Sequence, residues 1–171
     1  MERTARETPG QLAWLAGEIG RPFPFERYGV LGLASGYDGV ALETATVSTF
    51  GAGLSLTPEQ EAPTLVHELT HQYFGDAVSV RTWDDMWLSE GHARYYERRY
   101  AAARGFIDLD QELKSSYERD QQQRTEVGPM GRDPSGGQHF PSDRTVLCGS
   151  FPGSGGVHSG LRRRREPGLR A

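Results

Sequence analysis

His67 and His71 lie four residues apart and bracket Glu68 in Thr64-Leu65-Val66-His67-Glu68-Leu69-Thr70-His71-Gln72, and Glu90 follows in Trp87-Leu88-Ser89-Glu90-Gly91. On a helix, positions i and i+4 share a face, so both imidazoles can meet one Zn²⁺ ion. Glu68 points just off that face, where its carboxylate can take a proton from a metal-bound water. A catalytic zinc ion takes three protein ligands and leaves one position open. Glu90 supplies the third, so His67, His71 and Glu90 are the expected metal ligands and Glu68 the expected base. The competing explanation is an ordinary amphipathic helix with two solvated histidines.

These side chains need two packed helices. Leu65, Leu69 and Tyr73 form an apolar stripe at helical spacing, which predicts a helix over residues 63–74 with Pro63 in its first turn and Gly75 just past its end. Ser89 is expected to cap a second helix running to Arg104, with Gly105 as its stop. That places Glu90 in the first turn, with Ala93, Tyr96 and Tyr100 as the seam against the zinc helix. His92 falls about 200° round from Glu90 and reads as surface or pocket wall. Asp85 is either a carboxylate orienting a ligand imidazole or a surface charge flanking the helix. Trp83 and Trp87 are expected in the core.

Upstream, Thr8-Pro9-Gly10-Gln11 predicts a helix start, with Leu12, Leu15, Ala16 and Ile19 on one face. Two strands are expected, over 28–33 and 40–50, joined by a turn at 35–39. Glu43 lies in the second, on the face opposite Leu42. From position alone it is a solvated strand carboxylate; on an edge strand it would suit an extended peptide bound by strand addition. Asp108-Leu109-Asp110-Gln111 opens a further helix to about Arg124. Beyond Thr125, Gly, Pro, Ser and Arg dominate and no periodic apolar face continues. Residues 125–171 are expected to form an irregular or disordered tail, and the part after about Phe140 is read as degenerate or frame-shifted, which sequencing the parent DNA tests.

At 171 residues, with 36% apolar residues and a net charge of -4, the chain fits one small core and carries no general attraction to nucleic acid. The Arg162–Arg165 run reads as a solvated tail. Cys148 is the single cysteine, so no internal disulfide forms. No apolar run is long enough to span a membrane, and residues 1–10 lack the apolar stretch of a secretory signal. Together these point to the cytoplasm.

The motifs resemble those of the M1 family of zinc aminopeptidases, in the gluzincin group. In that family HExxH is followed by eighteen residues and a Glu, and here Gln72 to Ser89 fill that interval before Glu90. His71-Gln72-Tyr73-Phe74-Gly75-Asp76 is similar to the family's HQWFG run, and Trp83-Asp84-Asp85-Met86-Trp87-Leu88-Ser89-Glu90-Gly91 to its W-x-D-x-WLNEG run, with Ser89 for Asn and His92 for Phe. Val40-Ala41-Leu42-Glu43-Thr44 resembles its GAMEN motif, with Val40 for Gly and Thr44 for Asn. The resemblance spans about Phe23 to Gln123. It implies an α+β, thermolysin-like catalytic-domain fragment over residues 1–124: a short sheet, packed helices and the tail. It also implies a peptide substrate with a free N-terminus, whose amine pairs with Glu43 while Ala41 and Leu42 line its path. A later Tyr at the oxyanion is implied too, and no Tyr follows Tyr117. The expected activity is therefore zinc-dependent removal of N-terminal residues, impaired by that missing donor. The alternatives are an inactive zinc-binding relic and a protein-interaction fragment using Trp83 and Trp87.

Overall fold

A computed structural model describes residues 2–35, 41–52, 56–82 and 85–127. The first helix, α1 (Glu2–Ile19), starts well before the position expected from Pro9, which lies inside it. Proline lacks the N–H that would bond the Ala5 carbonyl. The early turns are held from outside the helix, where Arg3 and Thr4 reach the carboxylate of Glu61. The Thr8 hydroxyl donates to the Thr4 carbonyl at 2.8 Å instead of capping a new helix.

Three short strands follow: β1 (Gly29–Gly32), β2 (Ala41–Thr44) and β3 (Val47–Phe50). They form a sheet in the order β1-β3-β2, with β1 parallel and β2 antiparallel to β3. The single strand expected over 40–50 is thus a hairpin that reverses at Ala45 and Thr46. Its turn works because Thr46 adopts a φ of 70° and the Thr44 hydroxyl donates to the Val47 carbonyl at 2.7 Å. In the hairpin Glu43 sits opposite Ser48, and residues directly opposite share a face, so Glu43 keeps the face opposite Leu42. The expected turn at 35–39 lies largely outside the described residues, as does Val40.

Helix α2 (Pro58–His71) begins five residues earlier than expected and carries Pro63 inside. Pro58 takes the first position, and the Gln60 side chain accepts the Thr57 N–H at 3.0 Å, so the true start has its own cap. Pro63 lies inside the helix with its ring fully buried. Leu65, Val66 and Leu69 are fully buried and join Leu15, Phe50, Ala62, Tyr73 and Tyr100 in one core. The helix ends at His71, short of Gly75, and the amides of Asp76, Ala77 and Val78 bond back to the carbonyls of His71, Gln72 and Tyr73.

Helix α3 (Met86–Ala103) crosses α2, and α4 (Leu109–Val127) follows it. Asp108 caps α4 as expected, accepting the Gln111 N–H at 3.0 Å. The helix runs past Arg124; residues 128–171, which hold most of the expected tail, lie outside the described residues. Among the described residues no helix is long and apolar enough to cross a membrane. The architecture is the mixed α+β class expected, a small sheet packed on helices.

Leu69 sits at the centre of the core with no exposed surface. Leu69→Ala is expected to lower unfolding free energy by about 2–5 kcal/mol, measured as a shift of the urea midpoint at constant m-value.

Candidate metal centre

The last turn of α2 and the second turn of α3 face each other, and there the donor atoms converge. His67 Nε2 lies 3.2 Å from His71 Nε2 and 3.5 Å from Glu90 Oε2, and His71 Nε2 lies 3.6 Å from Glu90 Oε1. Zinc–nitrogen bonds of about 2.0–2.1 Å in a tetrahedron require donors roughly 3.3–3.4 Å apart. All three separations lie within a few tenths of an ångström of that edge, so the expected ligands His67, His71 and Glu90 are brought together with a spacing that fits zinc.

The far sides of the imidazoles explain why the Nε2 atoms face inward as acceptors. His67 Nδ1 lies 2.9 Å from Glu97 Oε2, and a carboxylate can only accept, so Nδ1 carries the proton. His71 Nδ1 lies 3.0 Å from Ser89 Oγ, whose hydroxyl donates to the Phe74 carbonyl and therefore accepts from Nδ1–H. Both Nε2 atoms are then aimed at one point, where a proton held by His67 or a metal ion can sit between them. Two lone pairs 3.2 Å apart repel unless a cation lies between them.

The residues orienting the imidazoles differ from those expected. Ser89 is not a helix cap: α3 starts at Met86, and Ser89 is buried inside it, beneath His71. Asp85 occupies the cap position instead and accepts from the Thr82 hydroxyl at 2.9 Å, so it orients neither ligand imidazole. Glu97 takes the post considered for Asp85. It is buried and held by Arg94, whose guanidinium donates to both its carboxylate oxygens at 2.7 Å. Glu97 and Arg94 were missed from sequence, although a signal existed: Glu97 lies seven residues, two helical turns, beyond Glu90 and so shares its face.

Gly75 makes room for this arrangement. A Cβ there would lie 3.0 Å from the His71 carbonyl and 3.1 Å from Ser89 Oγ, at a φ of 155°. Any side chain would push Ser89 away from the imidazole it supports.

The site is rich in negative charge. Glu68 is buried, and its Oε2 has no hydrogen-bond partner among the described residues. Burial pushes its carboxyl up to about 8; His67 pulls it down, while Glu43, Glu90 and Glu97 push it further up. Burial works against a charged His67, but the hydrogen bonds to Glu90 and Glu97 and the charges of Glu97 and Glu68 hold it up at about 10. His71 is pushed down, by burial first and then by the charge on His67. Glu43, on the outer strand β2, is close enough for its charge to raise Glu68, His71 and Asp76. Ala41 and Leu42 precede it on that strand, opposite Phe50 and Thr49.

The aromatic patch lies on another face of α3. Ala93, Glu97, Tyr100 and Ala101 form the buried stripe, whereas Trp87 is 49% exposed and not in the core as expected. Trp87, Leu88, His92, Tyr95 and Tyr96 line an open cavity of about 360 Å³, with His92 stacked on Phe74 at 4.1 Å. His92 is thus the pocket wall anticipated, while Trp83 lies outside the described residues.

Comparison with known proteins points the same way as the geometry. Residues 4–133 match the profile of the peptidase family M1 domain. Aminopeptidase RNPEPL1 of Homo sapiens is 34% identical over 88 residues, covering 50% of this chain and 12% of that protein. Aminopeptidase N of Streptomyces lividans is 31% identical over 97 residues, covering 53% of this chain and 11% of that protein. Among solved structures, the M1 zinc metallopeptidase from Deinococcus radiodurans superposes with a TM-score of 0.56 at 39% identity, covering 66% of this chain and 24% of that one. A mutant of it has been solved bound to a Tyr-Ser-Ala substrate. The chain thus spans about a tenth of the length of the curated relatives it matches.

Glu97→Gln and Ser89→Ala are each expected to weaken zinc binding about 10–100-fold, and Asp85→Ala to leave it unchanged, in competition against a chelator of known affinity. His67 holds its proton up to about pH 10, so zinc must displace it. Affinity is therefore expected to fall about tenfold per unit as pH is lowered below that value, read in the same competition assay.

Proposed function

The chain belongs to peptidase family M1, and from that membership we propose that it carries the zinc-binding core of an aminopeptidase, holding one Zn²⁺ on His67, His71 and Glu90. The observation that supports this best is the donor triangle of 3.2, 3.5 and 3.6 Å, with both outer imidazole nitrogens already engaged. Zinc bound there supplies a Lewis acid for the scissile carbonyl and makes water a stronger acid.

The remaining roles fall to the chain's own groups. Glu68 is the buried carboxylate beside the ligands, with an acceptor oxygen to spare. It takes a proton from the attacking water and returns it to the leaving amine. Glu43 pairs with the substrate's α-ammonium. Its place on an outer strand leaves room for an extended peptide alongside Ala41 and Leu42, and the reach from Glu43 to the metal ligands sets cleavage after one residue. The substrate is a peptide with a free N-terminus, and neither nucleic acid nor membrane enters the reaction. A cytoplasmic setting is part of this proposal.

The exposed aromatic cavity on α3 favours a second reading, in which the fragment binds a partner through Trp87 and Tyr95 and takes up no zinc. Metal content by native mass spectrometry, with hydrolysis of an aminoacyl-chromophore substrate before and after chelation, separates the two. The aminopeptidase reading requires one zinc per chain and a rate that chelator removes. Stoichiometric zinc with no chelator-sensitive rate would leave an inactive relic.

Glu68→Gln is expected to abolish turnover with zinc still bound. Glu43→Ala is expected to weaken the reaction of free amino termini more than that of acetylated peptides, measured as kcat/KM for matched substrates. Equal losses on both would remove Glu43 from the anchoring role.

A further inference from the structure

Gln72 follows the ligand His71 directly and is fully buried, yet the zinc chemistry makes no use of it. Both ends of its amide are engaged: Oε1 accepts the Thr46 N–H at 2.7 Å, and Nε2 donates to the Thr44 carbonyl at 3.1 Å. These two partners bracket the β2–β3 turn. Its backbone is fixed as well, since its N–H bonds back into α2 and its carbonyl accepts from Ala77 at 3.2 Å. A buried amide is costly unless all its groups are satisfied, so this side chain has one strongly preferred placement.

The turn it grips needs holding. Thr46 has a φ of 70°, an unfavourable conformation for a β-branched residue, and it persists only where its surroundings impose it. β2 is an outer strand of four residues, paired to β3 along one side. Thr44 is the covalent neighbour of Glu43, and Gln72 that of His71. The path from Glu43 to a metal ligand is therefore two peptide links and one buried hydrogen bond.

We propose that Gln72 is a positioning residue that sets the distance from Glu43 to the zinc ligands, and so fixes where a substrate's amino terminus sits relative to the bond that is cut. This rests on the aminopeptidase reading above. Gln72→Met keeps the side-chain volume and removes both hydrogen bonds, and Gln72→Glu keeps the acceptor for Thr46 while losing the donor to Thr44.

The test uses the full chain loaded with zinc. In Gln72→Met, zinc stoichiometry and amide protection within α2 are expected to hold while the Thr46 amide exchanges at least about tenfold faster, as loss of its buried acceptor allows. KM for an aminoacyl-chromophore substrate is expected to rise about tenfold with kcat within about threefold, and the preference for free over acetylated termini to fall, because the anchor is displaced while the metal site stays intact. Gln72→Glu is expected to keep Thr46 protected and still raise KM; it decides the matter if Gln72→Met does not fold. Loss of zinc together with Thr46 protection would make Gln72 a general support of the fold and overturn the positioning role. So would an unchanged KM and an unchanged preference in a wild-type background that shows that preference. Wild-type hydrolysis blind to the amino terminus would instead sink the aminopeptidase reading, and the anchoring role of Gln72 with it.

Discussion

Two imidazole Nε2 atoms facing each other across 3.2 Å, a pair that needs a proton or a metal ion between them, are the constraint from which the rest of the site follows. Nothing in the helix backbone forces that arrangement, since an i, i+4 pair of histidines can rotate outward into solvent. The outer nitrogens prevent it. Glu97 accepts from one ring and Ser89 from the other, and each acceptor is itself committed, Glu97 to Arg94 and Ser89 to the Phe74 carbonyl. The rings are thereby locked in tautomer and orientation, and the repulsion between their inner faces is offset only by a positive charge placed between them.

Much of the fold serves that lock. α3 must approach α2 closely enough for Ser89 and Glu97 to reach under the rings, which is why its facing stripe includes Ala93 and Ala101, both fully buried. Gly75 removes the Cβ that would separate Ser89 from His71. Pro58 and the Thr57–Gln60 cap start α2 early enough for Leu65, Val66 and Leu69 to anchor it in the core before the histidines are reached. The helix carrying the ligands is thus immobilised by packing at one end and by hydrogen bonds at the other.

The convergence of His67, His71 and Glu90 and the α+β class were legible in the sequence because they depend on spacing along one helix and on a motif of fixed separation. What the sequence did not reveal depends on tertiary contact. Pro9 and Pro63 looked like helix starts, as local propensity suggests, but contacts from Glu61 and burial of the ring carried both helices past them. The alternation from Val40 to Phe50 hid a reversal because neither Ala45 nor Thr46 is a usual turn residue; the turn is imposed by Gln72, 26 residues away from Thr46. Ser89 has the chemistry of a cap and the burial of a ligand support, and only the earlier start of α3 distinguishes the two.

If the proposed function holds, metal and substrate amine would draw on a shared electrostatic field. Glu43, Glu68, Glu90 and Glu97 cluster around the imidazoles, and Arg94 is bound up with Glu97. Glu68 and Glu97 are buried and Glu43 and Glu90 partly so, and crowding these carboxylates raises the energy of each ionised one, as the elevated Glu68 illustrates. One divalent cation between His67, His71 and Glu90 relieves part of that excess and eases ionisation of Glu68, the form a base requires. Glu43 remains, on β2, with its charge still felt at Glu68 and His71. An arriving ammonium group would therefore be attracted by the residual negative field as well as by its direct partner, while a blocked terminus would gain from neither. On the proposed reading, a preference for a free amino terminus would belong to the whole carboxylate cluster, with Glu43 fixing where it acts.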